Sequence, residues 1–258
     1  MRTAFLALLA LLAAAAVGAT ARDFRPAPFG DDLVSRPAHS VSADALRRGV
    51  GHSVQAYDTH DGRPAWSYRR PGHTPLRLVT VAGTTVAVWD DGMLTGVRPD
   101  QAAVRWHRFV PGLAGWLARL RRTHRLDHGI LLSPLDGGET FLVLTPGLVV
   151  SYTTADGTIR ADTLAPPGCA YDPSGALRIG DLVVLARPCA LRSTVEGFGE
   201  DGRSWQAQAT PLAVPALDST GLVAVREPPL LRPALLDPRT GRPPLPPPAP
   251  RGQAEPPA

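Results

Sequence analysis

Residues 54–69 read Val54-Gln-Ala-Tyr-Asp58-Thr-His-Asp-Gly62-Arg-Pro-Ala-Trp66-Ser-Tyr-Arg69. An extended, partly apolar stretch runs into an acidic turn closed by glycine. A second extended stretch then opens with Arg63 and carries a tryptophan. Two such stretches around an Asp/Gly turn are the pattern of a β-hairpin. The same order returns at Leu94–Phe109, where a degenerate turn precedes Trp106. It returns at Val149–Arg160 with Gly157 in the turn and no tryptophan, at Thr194–Gln206 with Gly202 and Trp205, and at Pro233–Pro244 with Gly241.

The spacing makes this a repeat. Trp66 and Trp106 are 40 residues apart, Arg160 and Trp205 are 45 apart, and Trp205 and Pro243 are 38 apart. The interval from Trp106 to Arg160 is longer, 54 residues, and holds an extra segment near 113–128. Periods of about 40–45 residues built on hairpins are those of propeller blades. Two further strand candidates lie between one hairpin and the next. These are Pro75–Val81 with Thr84–Trp89, Gly129–Leu135 with Thr140–Leu144, Ala176–Ile179 with Leu182–Ala186, and Ala213–Leu217 with Leu222–Arg226. Each unit therefore reads as four short strands. The expected fold is all-β: a β-propeller-like array of about four to five four-stranded blades over residues 46–245, with one short inserted helix. A lone four-stranded sheet cannot bury both faces, whereas a neighbouring copy covers each face and leaves only short edges. Trp66, Trp106 and Trp205 are expected to recur at one place, wedged between neighbouring sheets, with each indole N–H reaching a loop carbonyl. Gly62, Gly157 and Gly202 mark the turns. The insert, Leu113-Ala-Gly-Trp-Leu-Ala-Arg-Leu-Arg-Arg122, has apolar residues at 113, 116, 117 and 120, which is helical spacing.

Composition excludes several classes. The 258 residues are 44% hydrophobic and 19% charged, too apolar for a wholly disordered chain. All 27 basic residues are arginine, against 23 acids. That balance is too mild for nucleic acid, and no basic helix with interleaved aromatics accompanies it. The densest basic run, Arg119, Arg121, Arg122 and Arg125, fits a solvated helix face or a contact with anionic lipid or cell-wall polymer. The 28 prolines and 25 glycines argue against long helices. Proline is densest at the end: residues 246–258 read as a disordered Pro-rich tail, and 22–45 as a linker.

Arg2 is followed by uncharged Ala4–Gly18 and then Ala19-Thr20-Ala21. The segment 1–21 fits either a cleaved export signal or a retained membrane anchor through residues 4–21. Both place the body outside the cytoplasm, secreted or held at the outer face of the plasma membrane. There Cys169 and Cys189 are expected to form a disulfide.

Motifs with chemical potential fail on context. Gly197-Phe-Gly199-Glu-Asp-Gly202 matches G-x-G-x-x-G, but the stretch after it is strand-like, not the helix a dinucleotide needs. His124 and His128 are four apart without a third ligand, and Asp90–Asp91 sits at a turn. No G-x-S-x-G occurs, and neither cysteine has a neighbouring histidine.

The phrases Ala56-Tyr-Asp-Thr-His-Asp-Gly-Arg-Pro-Ala-Trp66 and Val97-Arg-Pro-Asp-Gln-Ala-Ala-Val-Arg-Trp106 resemble the PQQ-like repeats of β-propeller proteins. The resemblance spans about residues 50–245 and is clearest at 54–112. It implies a propeller fold, and it is shared by quinone-dependent dehydrogenases and by non-catalytic scaffold propellers of bacterial envelopes. The quinone-clamping and Ca²⁺-binding residues of the dehydrogenases map onto no stretch here, so no cofactor is expected. The expected function is an exported, non-catalytic scaffold that binds an envelope protein or an extracellular polymer. The alternative is a small quinone-dependent or sugar-oxidising propeller enzyme.

Overall fold

Turn chemistry cuts the chain into short strands. At Asp90-Asp91-Gly92 the glycine takes φ +82°, and the Asp91 carboxylate accepts the Met93 N–H at 3.1 Å. Only glycine adopts that backbone without strain, so the chain reverses there. The computed structural model describes residues 31–35, 46–58, 61–98, 103–126, 132–209, 214–226 and 234–244. The segment 1–21, most of 22–45 and the tail 246–258 lie outside these residues.

Five sheets follow one another along the chain. The first holds β1 (Asp32–Ser35), β2 (Leu46–Val50), β3 (Ser53–Tyr57) and β4 (Pro64–Arg69), in the order β1-β4-β3-β2. The second is β5 (Pro75–Val81), β6 (Thr84–Trp89), β7 (Met93–Arg98) and β8 (Ala103–Phe109), in sequence order. Helix α1 (Leu113–Arg122) comes next and buries Leu113, Trp116 and Leu117. The third sheet is β9 (Leu132–Leu135), β10 (Thr140–Leu144), β11 (Leu148–Thr153) and β12 (Ile159–Leu164). The fourth is β13 (Leu177–Ile179), β14 (Leu182–Pro188), β15 (Ser193–Gly199) and β16 (Gly202–Ala209). The fifth is β17 (Val214–Leu217), β18 (Val223–Arg226) and β19 (Ala234–Leu236). The all-β reading with one inserted helix holds, and the strands fall within a few residues of their expected places.

Two details differ from the sequence reading. Asp32–Ser35, inside the stretch taken for a linker, forms β1 along the outer edge of β4. The Tyr68 hydroxyl donates to the buried Asp31 carboxylate, and the Arg70 guanidinium lies 3.5 Å from its other oxygen. These partners are distant in sequence, so local composition gave no sign of them. The fifth sheet has three described strands, not four. Its last turn closes with the Asp237 N–H donating to Arg242 O at 2.8 Å. Pro243 and Pro244 follow, where the first sheet continues into β4 at Pro64. Prolines in succession have no N–H to give to a ladder.

The described residues divide into two compact units, Asp31–Pro75, and Leu76–Arg98 with the chain from Ala103 onward. In the second unit the sheets stack face to face. β10 and β15 are buried along their whole length, which requires cover on both faces, whereas β12 at a sheet edge is largely exposed. Among the described residues of this unit, three apolar clusters fill the spaces. One joins the second and third sheets with α1 (Val86, Trp106, Trp116, Phe141, Tyr152). One joins the third and fourth sheets (Leu142, Tyr171, Phe198). One joins the fourth and fifth (Val184, Trp205, Val223, Leu236).

Candidate functional site

The repeated residues converge on the seams between sheets. Trp106 on β8 stands opposite Gly96 of β7, beside a β-bulge between Gly96 and Val97. A Cβ on Gly96 would overlap the indole, and one on Gly157, in the turn of the third sheet, would stand 2.7 Å from it. The ring is thus held between two glycines, one from its own sheet and one from the next. Its Nε1 donates to Thr154 O at 3.0 Å. Arg108 fastens the same turn, with Nε donating to Gly157 O at 2.5 Å and Nη2 to Asp156 O at 3.0 Å. Phe141 stacks beyond Trp106 at 5.9 Å, and Tyr152 stacks on Phe141 at 5.5 Å.

Trp205 repeats the arrangement. It faces Gly197 beside a bulge, a Cβ on Gly241 would strike its other side, and its Nε1 donates to Pro238 O at 2.6 Å. Trp66 on β4 holds the same register, opposite Ala56 beside a bulge, and is buried. Its indole N–H has no hydrogen-bond partner among the described residues. The second sheet's corresponding turn, residues 99–102, lies outside them. Gly62 closes the first sheet's turn at φ +68°, donating to Asp58 O as Gly157 does to Thr153 O and Gly241 to Asp237 O.

The third and fourth sheets depart from this pattern. Sequence spacing put Arg160 at the tryptophan position, but the register puts Ala161 there, opposite Ser151 beside the bulge. Counted from the turn glycine, the spacing agrees with the register: Ala161 follows Gly157 by four residues, as Trp66 follows Gly62 by four. Gly202 does not sit in the longer turn of Gly62 and Gly157. It opens β16 after the tight Glu200-Asp201 turn, at φ +96°, and a Cβ on it would lie 2.9 Å from the Ala161 Cβ. The seam partner is therefore kept, with a methyl group where the other seams have an indole.

Cys169 and Cys189 form a disulfide across the link between the third and fourth sheets. The linking segment is also tied to both neighbours, with Tyr171 N–H donating to Pro146 O at 2.8 Å and Ala170 N–H to Pro188 O at 3.0 Å. Next to it lies a buried charge that sequence reading missed. Glu196 is fully buried. Its Oε1 accepts from Arg187 (Nη2 2.6 Å, Nε 2.7 Å) and from the Thr194 hydroxyl at 2.8 Å. Its Oε2 meets the Tyr171 hydroxyl at 3.4 Å and Arg203 at 3.5 Å. The signal was Glu196 close to the apolar Val195 and Phe198, because a buried carboxylate demands such partners. Its acceptor sites are filled from within the protein, so the cluster serves as a structural brace. Burial pushes the Tyr171 and Tyr152 hydroxyls up to about 12, keeping both neutral. The Asp156 carboxyl is held below its usual range by the backbone N–H and side chain of Thr158.

The motifs set aside earlier occupy ordinary structure. Gly197–Gly202 lies within the β15–β16 hairpin, with no helix after it. His124 is exposed just beyond the end of α1, and His128 lies outside the described residues. Asp90 faces Arg121 at 3.8 Å.

Residues 41–121, which include Trp66 and Trp106, match the PQQ-type family model described as "Outer membrane protein assembly factor BamB". No curated protein sequence matches the chain. Among solved structures the chain is similar to BamB from Moraxella catarrhalis, at 15% identity and TM-score 0.43, covering 73% of this chain and 53% of that one. It is similar also to BBS1N from a complex with ARL6DN, at 15% identity and TM-score 0.42, covering 75% and 63%. The chain thus spans about half to two thirds of the length of these structures. Over residues 41–121 the chain carries the PQQ-like repeat of β-propeller proteins.

Proposed function

We propose that this chain is an exported, non-catalytic scaffold whose stacked sheets present a fixed surface to an envelope protein or an extracellular polymer. The observation that carries the reading is where the repeated residues are used. Trp106, Trp205, Gly157 and Gly241 are all consumed in sheet-to-sheet packing, and the buried Glu196 has its acceptors filled internally. A reaction centre instead needs titratable groups that converge on an open pocket. The disulfide supports an oxidising compartment outside the cytoplasm. BamB, the protein named by the matched model, is an outer membrane assembly factor, which is a scaffold role of this kind.

The test is affinity capture of the full chain from the envelope of its own cell, paired with an absorbance titration of the purified protein against a quinone and Ca²⁺. A stoichiometric envelope partner and a flat titration are expected. A spectral change saturating near one equivalent of quinone overturns the reading in favour of an oxidising propeller enzyme.

A further inference from the structure

The sheets of the second unit carry unlike chemistry at their two ends. One end is formed by the turns β5–β6, β9–β10, β13–β14 and β17–β18 together with the hairpin turns β11–β12 and β15–β16. Acids gather in these turns: Glu139, Asp156, Asp181, Glu200, Asp201 and Asp218, of which Glu200 and Asp201 pair with Arg160 of β12. The other end is formed by the turns β6–β7, β10–β11 and β14–β15 and by the segments that link one sheet to the next. Arginines gather here, with Arg119, Arg121, Arg122 and Arg125 on and just after α1 and Arg192 at the β14–β15 turn, all exposed. Arg119, Arg122, Arg125 and Arg192 make no ion pair with a described residue. The described acids of this end are engaged locally. Asp91 accepts the Met93 N–H, Asp172 accepts the Ser174 N–H, and Asp90 faces Arg121.

The arginine end also exposes large apolar side chains. Phe109 is 60% exposed and Leu164 69%, and both are the last residues of their outer strands, β8 and β12. Leu191, 87% exposed, is at the tip of the β14–β15 turn, which closes with Cys189 N–H donating to Arg192 O. The disulfide fixes that tip at its base, so presenting Leu191 costs little ordering. Helix α1 is seated on the same end. Its first turn packs so closely on the β6–β7 turn that a Cβ on Gly92 would lie 2.9 Å from the Ala114 nitrogen. Its apolar side faces the core, which leaves the arginines outward.

Rigid apolar tips among exposed arginines match an anionic bilayer surface. The tips enter the headgroup region, and each arginine gains from the negative surface potential. A folded acidic protein would complement the charge, yet a single solvated leucine at a turn tip needs a fluid, apolar layer or a pocket made to fit it. We propose that this end of the second unit docks on an anionic phospholipid membrane through Leu191, Leu164 and Phe109 and the arginines of α1. Such docking leaves the rest of the surface free for a protein or polymer partner and does not depend on that partner.

The test is co-sedimentation of the full chain with phosphatidylcholine vesicles, with and without phosphatidylglycerol. Residues 4–21 are uncharged and the same in every variant, so the readout is the preference for the anionic vesicles. The expected result is a clear preference that fades as NaCl rises. The triple variant Arg119→Gln, Arg122→Gln, Arg125→Gln is expected to lower partitioning into the anionic vesicles on the order of a hundredfold. Leu191→Ser should lower it several-fold, and Leu217→Ser, exposed at the acidic end, should leave it unchanged. All these positions are exposed, and unchanged circular dichroism verifies the fold. Equal partitioning of the wild type into both vesicle types overturns the proposal. So does an equal effect of Leu191→Ser and Leu217→Ser. Retention on immobilised polyglutamate without any vesicle preference assigns the surface to an acidic macromolecule and overturns it as well.

Discussion

The second and third sheets meet around an indole, whereas the third and fourth meet around a methyl group at the same register position. At the first of these seams Trp106 is enclosed by Gly96 and Gly157 and tied to Thr154 O. At the second, Ala161 meets Gly202, and little apolar surface is available at that point. Other interactions are gathered there instead. The disulfide fixes the linking segment, and Arg160 of β12 reaches Glu200 at 3.0 Å and Asp201 at 2.9 Å in the turn of the fourth sheet. Tyr171 packs edge-on against Phe198 at 5.7 Å. The comparison shows that the repeat preserves a contact position and a facing glycine, not a residue type. Where the large aromatic is lost, a covalent cross-link and an ion-pair cluster hold the same two sheets.

The largest effect expected is that of Trp106→Ala. Removing a buried indole should cost about 3–5 kcal/mol in urea unfolding, while Ala161→Gly costs at most about 1 kcal/mol. If the two losses were alike, the tryptophan seam would not be the stronger one. Next is the disulfide. The paired change Cys169→Ser, Cys189→Ser opens a loop with a sequence separation of 20, with an expected loss of about 3 kcal/mol in the chain-entropy account. The same change should speed hydrogen exchange in β13 and the 165–172 segment and leave the β8–β11 region as it was. Equal acceleration on both sides would remove the cross-link from its assigned seam.

Arg160→Ala should have a smaller effect, below about 1 kcal/mol and shrinking as salt rises, because the ion pairs are solvent-exposed. A larger, salt-independent loss would mean that Arg160 acts through packing. The smallest change concerns Asp156, in the turn that Arg108 holds against Trp106. Its folded-state pKa lies below the ordinary 3.8. Its charged form is thus favoured by folding, and the contribution is present above the unfolded value and lost as pH falls through the lowered one. Asp156→Asn should lower neutral-pH stability slightly and match the wild type in strong acid, where Asp156 is protonated, so the acid-induced loss is slightly narrower. A pH profile identical to the wild type would remove Asp156 from the seam's pH response.

Much of the architecture was legible in the chain because its signals are local. Asp90-Asp91-Gly92, Pro146-Gly147 and Gly180-Asp181 bracket strands within a residue or two of their observed limits. The period of α1 placed Leu113, Trp116 and Leu117 on its buried side. Strand β1 was not legible, because Asp31–Ser35 is ordered by Arg70, Tyr68 and the edge of β4, far along the chain. The Ala161 equivalence was obscured because a methyl group replaces the indole that marks the position elsewhere, although its four-residue step from Gly157 matches that from Gly62 to Trp66. The arginine end with Phe109, Leu164 and Leu191 was equally hidden, since these three residues share an end only once the sheets have stacked.

What the amino-acid order determined alone is the module: short strands, glycine-closed turns, a hairpin returning every forty or so residues, and one pair of cysteines. Backbone sterics and turn preferences act over a few residues, and that is enough to set such units. Which ring meets which glycine was decided by the tertiary structure. The Trp106 contact to Thr154 spans 48 residues and that of Arg108 to Gly157 spans 49. Contacts of that length form only when whole sheets come together and expel water from the faces between them.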